Sequence, residues 1–201
     1  MTVHCHPRGI RRQAFRTTVI AVIGCGLALP ASAGGDESVA ATVRRQVRSH
    51  NATIVKIIEQ ASRQSETFRS LIGMINAGNG IVYVENGPCL GNMQACLVTV
   101  TPARANHRVL HVRVDVVKAG EDLVGSIGHE LYHATEILGS PAVTSGDAMF
   151  SMYSRIGYAV PGGGFETSAA VKAGNAVRKE MRAASQKLEQ TARRRSIRAG
   201  N

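Results

Sequence analysis

Residues 128–134 read Gly-His-Glu-Leu-Tyr-His-Ala, and the spacing His129-Glu130-x-x-His133 constrains this chain more than any other stretch. On a helix the two histidines stand one turn apart on one face, as two imidazole ligands of a single Zn²⁺ must. Glu130 sits beside them, where it can take a proton from a water activated by the metal. The surroundings suit a helix. Leu123, Ile127, Leu131, Ala134 and Leu138 recur at helical spacing and would bury a stripe. Gly139 is placed to end the helix and Pro141 forbids its continuation.

A chain of 201 residues is long enough for one domain with an ordinary core. Trp is absent and aromatics are few, so that core must rely on Val, Ile, Leu, Met and Ala. The formal charge of +10 suggests an anionic partner until it is located. Arg8, Arg11, Arg12 and Arg16 give residues 1–33 a charge of +4 with no acid to offset them. From Arg178 to the end, eight basic residues against Glu180 and Glu189 supply the other +6. The middle, 34–177, is therefore neutral, which argues against nucleic acid as the partner.

The first 33 residues have the form of a secretory signal. A basic stretch ending at Arg16 precedes an apolar run from Thr17 to Leu29, then Pro30 and the small-residue junction Ala31-Ser32-Ala33. The run is shorter than the ~20 residues that a spanning helix needs, and no second apolar segment follows. Cleavage after Ala33 would leave an exported chain, periplasmic or secreted, that starts at Gly34. Val22-Ile23-Gly24-Cys25 also resembles a lipobox, which would make Cys25 a lipid anchor, and Arg11-Arg12 weakly resembles a twin-arginine signal. Cys5 and Cys25 leave with the signal. Cys89 and Cys96 remain in an oxidising compartment, which favours a disulfide stapling the loop between two strands.

Residues 38–61 carry apolar positions spaced for an amphipathic helix that breaks near Asn51; 34–64 reads either as support for the fold or as an inhibitory segment. A second helix is expected from Ser65 to Ile75, stopped at Gly78-Asn79-Gly80. The period then changes to two. Ile81–Glu85, Cys96–Thr101 and Val109–Val116 read as strands, with Asn86-Gly87 and Ala105-Asn106-His107 at the turns. In the third strand His111, Arg113 and Asp115 alternate with Leu110, Val112, Val114 and Val116, so one face is buried and one polar. After the His129 helix comes a shorter one over Asp147–Ile156, a loop at Pro161-Gly162-Gly163-Gly164, and a last helix from Phe165 to Thr191. Residues 193–201 read as a basic flexible tail. Helices, sheet, then helices make an α+β domain over 34–192, a small mixed or antiparallel sheet packed against the His129 helix and a C-terminal glutamate-bearing helix.

Catalytic zinc keeps three protein ligands and an open position. Glu136 lies on the same helical face as both histidines. His111 and Asp115 stand upstream, and Glu166 stands in Phe165-Glu166-Thr167-Ser168-Ala169-Ala170 at the start of the last helix. Ala170, Ala173 and Val177 continue that helix face, small enough for two helices to approach closely.

Taken together, His129-Glu130-Leu131-x-His133-Ala134, the strand before it and the later Glu166-x-x-Ala169 resemble the gluzincin metallopeptidases, over roughly residues 81–185. The pattern is similar, too, to that of small exported bacterial proteins. The resemblance implies a minimal zincin-like fold, Zn²⁺ held by His129, His133 and Glu166, and Glu130 as catalytic base. Many relatives follow E-x-x-A with Asp, which supports a zinc histidine. Ala170 stands there in this chain, so Glu136, Asp147 or a backbone carbonyl must serve.

Peptide hydrolysis also needs a group to stabilise the oxyanion, for which Tyr158, Tyr153, Arg155 and His111 are the candidates. Tyr132 should point off the metal face. The strand 108–116 is the expected edge for an extended peptide substrate. Two other classes fit the same residues. One is an exported zinc-binding protein without activity. The other is an envelope-associated binding module in which Arg193–Arg198 contacts anionic lipid or nucleic acid.

Overall fold

The computed structural model of the protein describes residues 46–89, 93–103, 107–118, 120–161 and 164–199. The expected export signal over 1–33, Gly91-Asn92, Ala105-Asn106 and Gly162-Gly163 lie outside them.

The first described element is a strand, within the 38–61 stretch where a helix is expected. Val47 and Arg48 form β1, which pairs in parallel with Val82 and Tyr83. The expected break at Asn51 is a helix start. Its side chain accepts from the backbone N–H of Thr53 and Ile54, capping α1, Ala52–Gln64. Buried Ser65 then caps α2, Glu66–Ala77, through the Phe68 N–H. Glu180, far along the chain, accepts from the hydroxyls of Ser65 and Thr67 and from the Thr67 N–H, which fastens this junction to the last helix.

Three longer strands follow: β2, Gly80–Asn86; β3, Ala95–Pro102; and β4, Arg108–Val114. The sheet order is β1-β2-β4-β3, with the first two pairings parallel and β3–β4 antiparallel, so the sheet is mixed. Alternation decides its faces. Val82, Val84, Leu110, Val112 and Val114 are buried under the helices, while Tyr83, Glu85, His111 and Arg113 lie on the other face. β4 is interior, flanked by β2 and β3. It is therefore not the edge expected from its sequence; β3 is.

The motif helix, α3, spans Glu121–Leu138 and ends at Gly139. Leu123, Ile127, Leu131, Ala134 and Ile137 are fully buried against the sheet and the first two helices. Arg108, 2% exposed, lies beneath the end of α3 and donates to the carbonyls of Ile137, Leu138, Ser140 and Val143 and to Asn79 Oδ1. It adds to the backbone bonds at that helix end, where the Ile137 carbonyl also accepts from the Ser140 N–H and the Ser140 carbonyl from the Val143 N–H.

A short helix, α4 (Gly146–Ile156), leads into a two-stranded ribbon, β5 (Tyr158–Ala159) and β6 (Phe165–Glu166). The last helix, α5, runs over Ser168–Ala199 and packs chiefly on α3. Residues 193–199, expected within a tail, continue that helix, exposed through at least Ile197. α3 and α5 approach closely because their contact is lined by small residues: Ala170 and Ala173 are buried, and a Cβ on Gly174 would stand 3.0 Å from the His129 Cβ. The architecture is α+β.

Candidate metal centre

His129 and His133 project from one face of α3, as the i, i+4 spacing requires. Their Nε2 atoms lie 3.0 and 3.3 Å from the same oxygen, Glu166 Oε1. The three donor atoms all fall within 4.8 Å of one another. Ligands at about 2.1 Å around one tetrahedral ion stand roughly 3.4 Å apart. The cluster matches that spacing at both carboxylate contacts and needs only small side-chain adjustments to close around a cation. Two imidazoles and a carboxylate are a donor set that suits zinc and similar divalent metals.

Glu166 reaches the cluster by a different route from the one expected. It lies in β6, two residues before α5. The helix start falls later because the Thr167 hydroxyl accepts from the Ala170 N–H and acts as the cap. Glu166 is held instead by the ribbon, opposite Tyr158. Gly164, at φ 104, provides the left-handed backbone at which the chain turns back into β6. Gly157 allows the close return: a Cβ there would stand 2.6 Å from the Glu166 carbonyl oxygen.

Glu136 is the carboxylate that supports a histidine. Its Oε2 lies 2.8 Å from His133 Nδ1, and its Oε1 accepts from the Thr167 hydroxyl at 2.8 Å. A proton held on Nδ1 leaves Nε2 directed at the cluster. Asp147, the other residue considered for this duty, is exposed on the first turn of α4.

Glu130 is buried and oriented. Its Oε2 accepts from the Leu97 N–H of β3 at 2.7 Å, and Oε1 stands 4.0 Å from His129 Nε2. Leu97 lies where the β3–β4 register shifts, a bulge between Leu97 and Thr99. Burial raises the pKa of Glu130, an effect partly offset by the two histidines and the Leu97 N–H. Burial also opposes the charged forms of His133 and Glu166, yet their mutual hydrogen bonds win. Those to Glu136 and Glu166 raise His133 to about 9, and those from His129 and His133 hold Glu166 down at about 2.

Of the four residues considered for oxyanion stabilisation, Tyr158 is the cross-strand partner of Glu166. Arg155 is exposed in the last turn of α4. Tyr153 is buried, its ring against His133 and its hydroxyl donating to the His133 carbonyl. Burial and the nearby Glu136 keep that phenol protonated far beyond its usual range. His111 lies on the opposite face of the sheet, bonded to Glu85 and stacked on Tyr83. Asp115 follows β4, and its side chain accepts from the Val117 N–H. Tyr132 packs against the core, off the metal face. Cys89 and Cys96 are joined in a disulfide that ties the chain after β2 to β3, one residue before Leu97.

The contributions of Thr167 and of the Leu97 N–H have no sequence motif. Thr167 could have been found as a helix cap following Glu166; the Leu97 contact depends on tertiary placement alone.

Among the described residues no helix is long and apolar enough to cross a membrane. Comparison with protein-family models, with curated proteins and with solved structures finds no match in any of the three.

Proposed function

We propose that this protein is an exported, zinc-dependent peptidase built on a minimal zincin-like domain, with Glu130 as its general base. The observation that carries this reading is the convergence of His129 Nε2, His133 Nε2 and Glu166 Oε1 beside a buried Glu130 whose orientation is fixed by the Leu97 N–H.

His129, His133 and Glu166 would hold the zinc, which would supply Lewis acidity toward the scissile carbonyl and a lowered pKa for the attacking water. The protein's own groups do the rest. Glu130 uses Oε1, on the cluster side, to accept the proton of the attacking water and deliver it to the leaving amine nitrogen. The water oxygen bonds to the carbonyl carbon, the C–N bond breaks, and the products are a carboxylic acid and an amine. Oε2 stays with Leu97, so Glu130 acts from a fixed position. Tyr158, opposite Glu166 in the ribbon, is the donor proposed for the oxyanion. Among the described residues β3 is an edge strand, along which an extended substrate backbone would pair. The Cys89–Cys96 disulfide is compatible with export.

The test is hydrolysis of a quenched-fluorescent peptide library by zinc-loaded protein. Wild type should cleave it, and Glu130→Gln should be slower by about 10²–10⁴-fold while retaining zinc. Equal cleavage by the variant would exclude Glu130 as the base. Bound zinc without cleavage by wild type would assign the cluster to a non-catalytic zinc protein.

A further inference from the structure

His133 and Glu166, two of the three donors, form part of the wall of a cavity of about 290 Å³. Glu130, His133 and Glu166 line its polar side, while Leu97, Met149, Phe150, Val160 and Phe165 make most of the remainder. Among the described residues that line it there is no Lys, Arg or Asp. Its volume is near the lower end, about 300 Å³, for small-molecule sites, which is room for one large side chain.

The rim adds a second observation. Phe150 is 64% exposed although α4 is already anchored by buried Met152 and Tyr153. Its ring packs edge-on to Phe165, with centroids 5.1 Å apart. Met93, 43% exposed, lies on the same cavity. Apolar surface left uncovered beside a concave site is characteristic of binding rather than of folding. Because Phe165 is adjacent to Glu166 and Leu97 holds Glu130, whatever enters the cavity lies beside the reacting groups.

We infer that this cavity is a specificity pocket for one large, uncharged, apolar side chain of the substrate, of the size of Leu, Met or Phe, next to the bond on which Glu130 acts. The inference rests on the peptidase reading above and narrows its substrate class. A charged side chain, acidic or basic, loses its hydration among the apolar walls. A pocket of this kind separates neighbouring aliphatic side chains by about 10-fold or more.

The experiment is calorimetric binding of blocked peptides, acetyl-Gly-Ala-X-Ala-Gly-amide with X as Leu, Phe, Ala, Asp or Lys, to zinc-loaded Glu130→Gln protein, which holds substrate without turning it over. The Leu and Phe peptides should bind about 10-fold or more tighter than the Ala peptide, with Asp and Lys no tighter than Ala. Phe150→Ala, and independently Met149→Gln, should reduce the Leu-to-Ala ratio to about 3-fold or less with zinc affinity unchanged. Equal binding of all five, binding of none, or preference for Lys or Asp overturns the inference. Wild-type hydrolysis of the same peptides separates the two claims. Cleavage indifferent to X leaves the peptidase standing without the pocket; Leu- and Phe-selective binding without cleavage leaves the pocket standing without the peptidase.

Discussion

Glu136 holds His133 from behind: its Oε2 is 2.8 Å from His133 Nδ1, and its Oε1 is itself held by the Thr167 hydroxyl, one residue beyond Glu166. One carboxylate thus couples a histidine of α3 to the cap of α5 and to the segment that presents the third donor. Removing such a support typically weakens a metal site by about 10–100-fold. Glu136→Ala should fold normally and lose zinc affinity by about that factor in competition with a chromophoric chelator. Affinity equal to wild type would show that His133 needs no carboxylate.

The ribbon that carries Glu166 depends on Gly157. An added Cβ would meet the Glu166 carbonyl at 2.6 Å and the Tyr153 carbonyl at 3.0 Å, both backbone atoms that cannot rotate away. Gly157→Ala should cost about 1–3 kcal/mol and weaken zinc binding by displacing Glu166. Gly73, exposed within α2 with open space where a methyl would stand, provides the contrast. Gly73→Ala should stabilise by about 0.5–1 kcal/mol and leave the site alone. Urea unfolding and chelator competition on both variants check the pair.

Arg108 is buried and directs its guanidinium at four carbonyls and an amide oxygen, with no carboxylate partner among the described residues. Burial lowers its pKa, but these acceptors hold the charged form in place. Arg108→Met keeps the bulk and removes all five bonds, while the Ile137 and Ser140 carbonyls keep their backbone N–H partners. The expected loss is about 3 kcal/mol or more in urea unfolding, from several charge-assisted bonds removed together. A loss below about 1 kcal/mol would mean that solvent satisfies those carbonyls instead.

Glu180 gives a pH signature remote from the metal centre. Burial alone would raise its pKa, but the hydroxyls of Ser65 and Thr67 and the Thr67 N–H hold it below its ordinary 4.5. A carboxyl depressed by folding contributes stability above its unfolded pKa and loses it as pH falls through the folded value. Wild type should therefore exceed Glu180→Gln in stability at neutral pH, with the difference shrinking below about pH 4.5. Thermal unfolding of both proteins from pH 7 to pH 3 measures it; a difference that stays constant with pH would contradict the assignment.

The parts legible in the sequence are those governed by neighbours along the chain. The His129 helix, its end at Gly139 and the alternation in Val109–Val114 follow from local period and capping. The disulfide is legible from the two cysteines left after the expected signal. What escapes depends on distant pairing. β1 is two residues whose strand character comes only from Val82 and Tyr83, and β4 becomes interior only when β2 joins its far side. Glu166 is legible as a donor but not as a strand residue, because the ribbon it shares with Tyr158 has only two pairs. The Leu97 N–H that orients Glu130 leaves no side-chain signal at all.

We propose that His129, His133 and Glu166 together hold zinc. This is tested most directly by zinc stoichiometry and affinity after loading and dialysis, in wild type, Glu166→Ala and Glu136→Ala. One zinc per chain in wild type, most of it lost in Glu166→Ala, and weakened but retained binding in Glu136→Ala is the predicted result. No zinc in wild type, or affinity in Glu166→Ala equal to wild type, would contradict it.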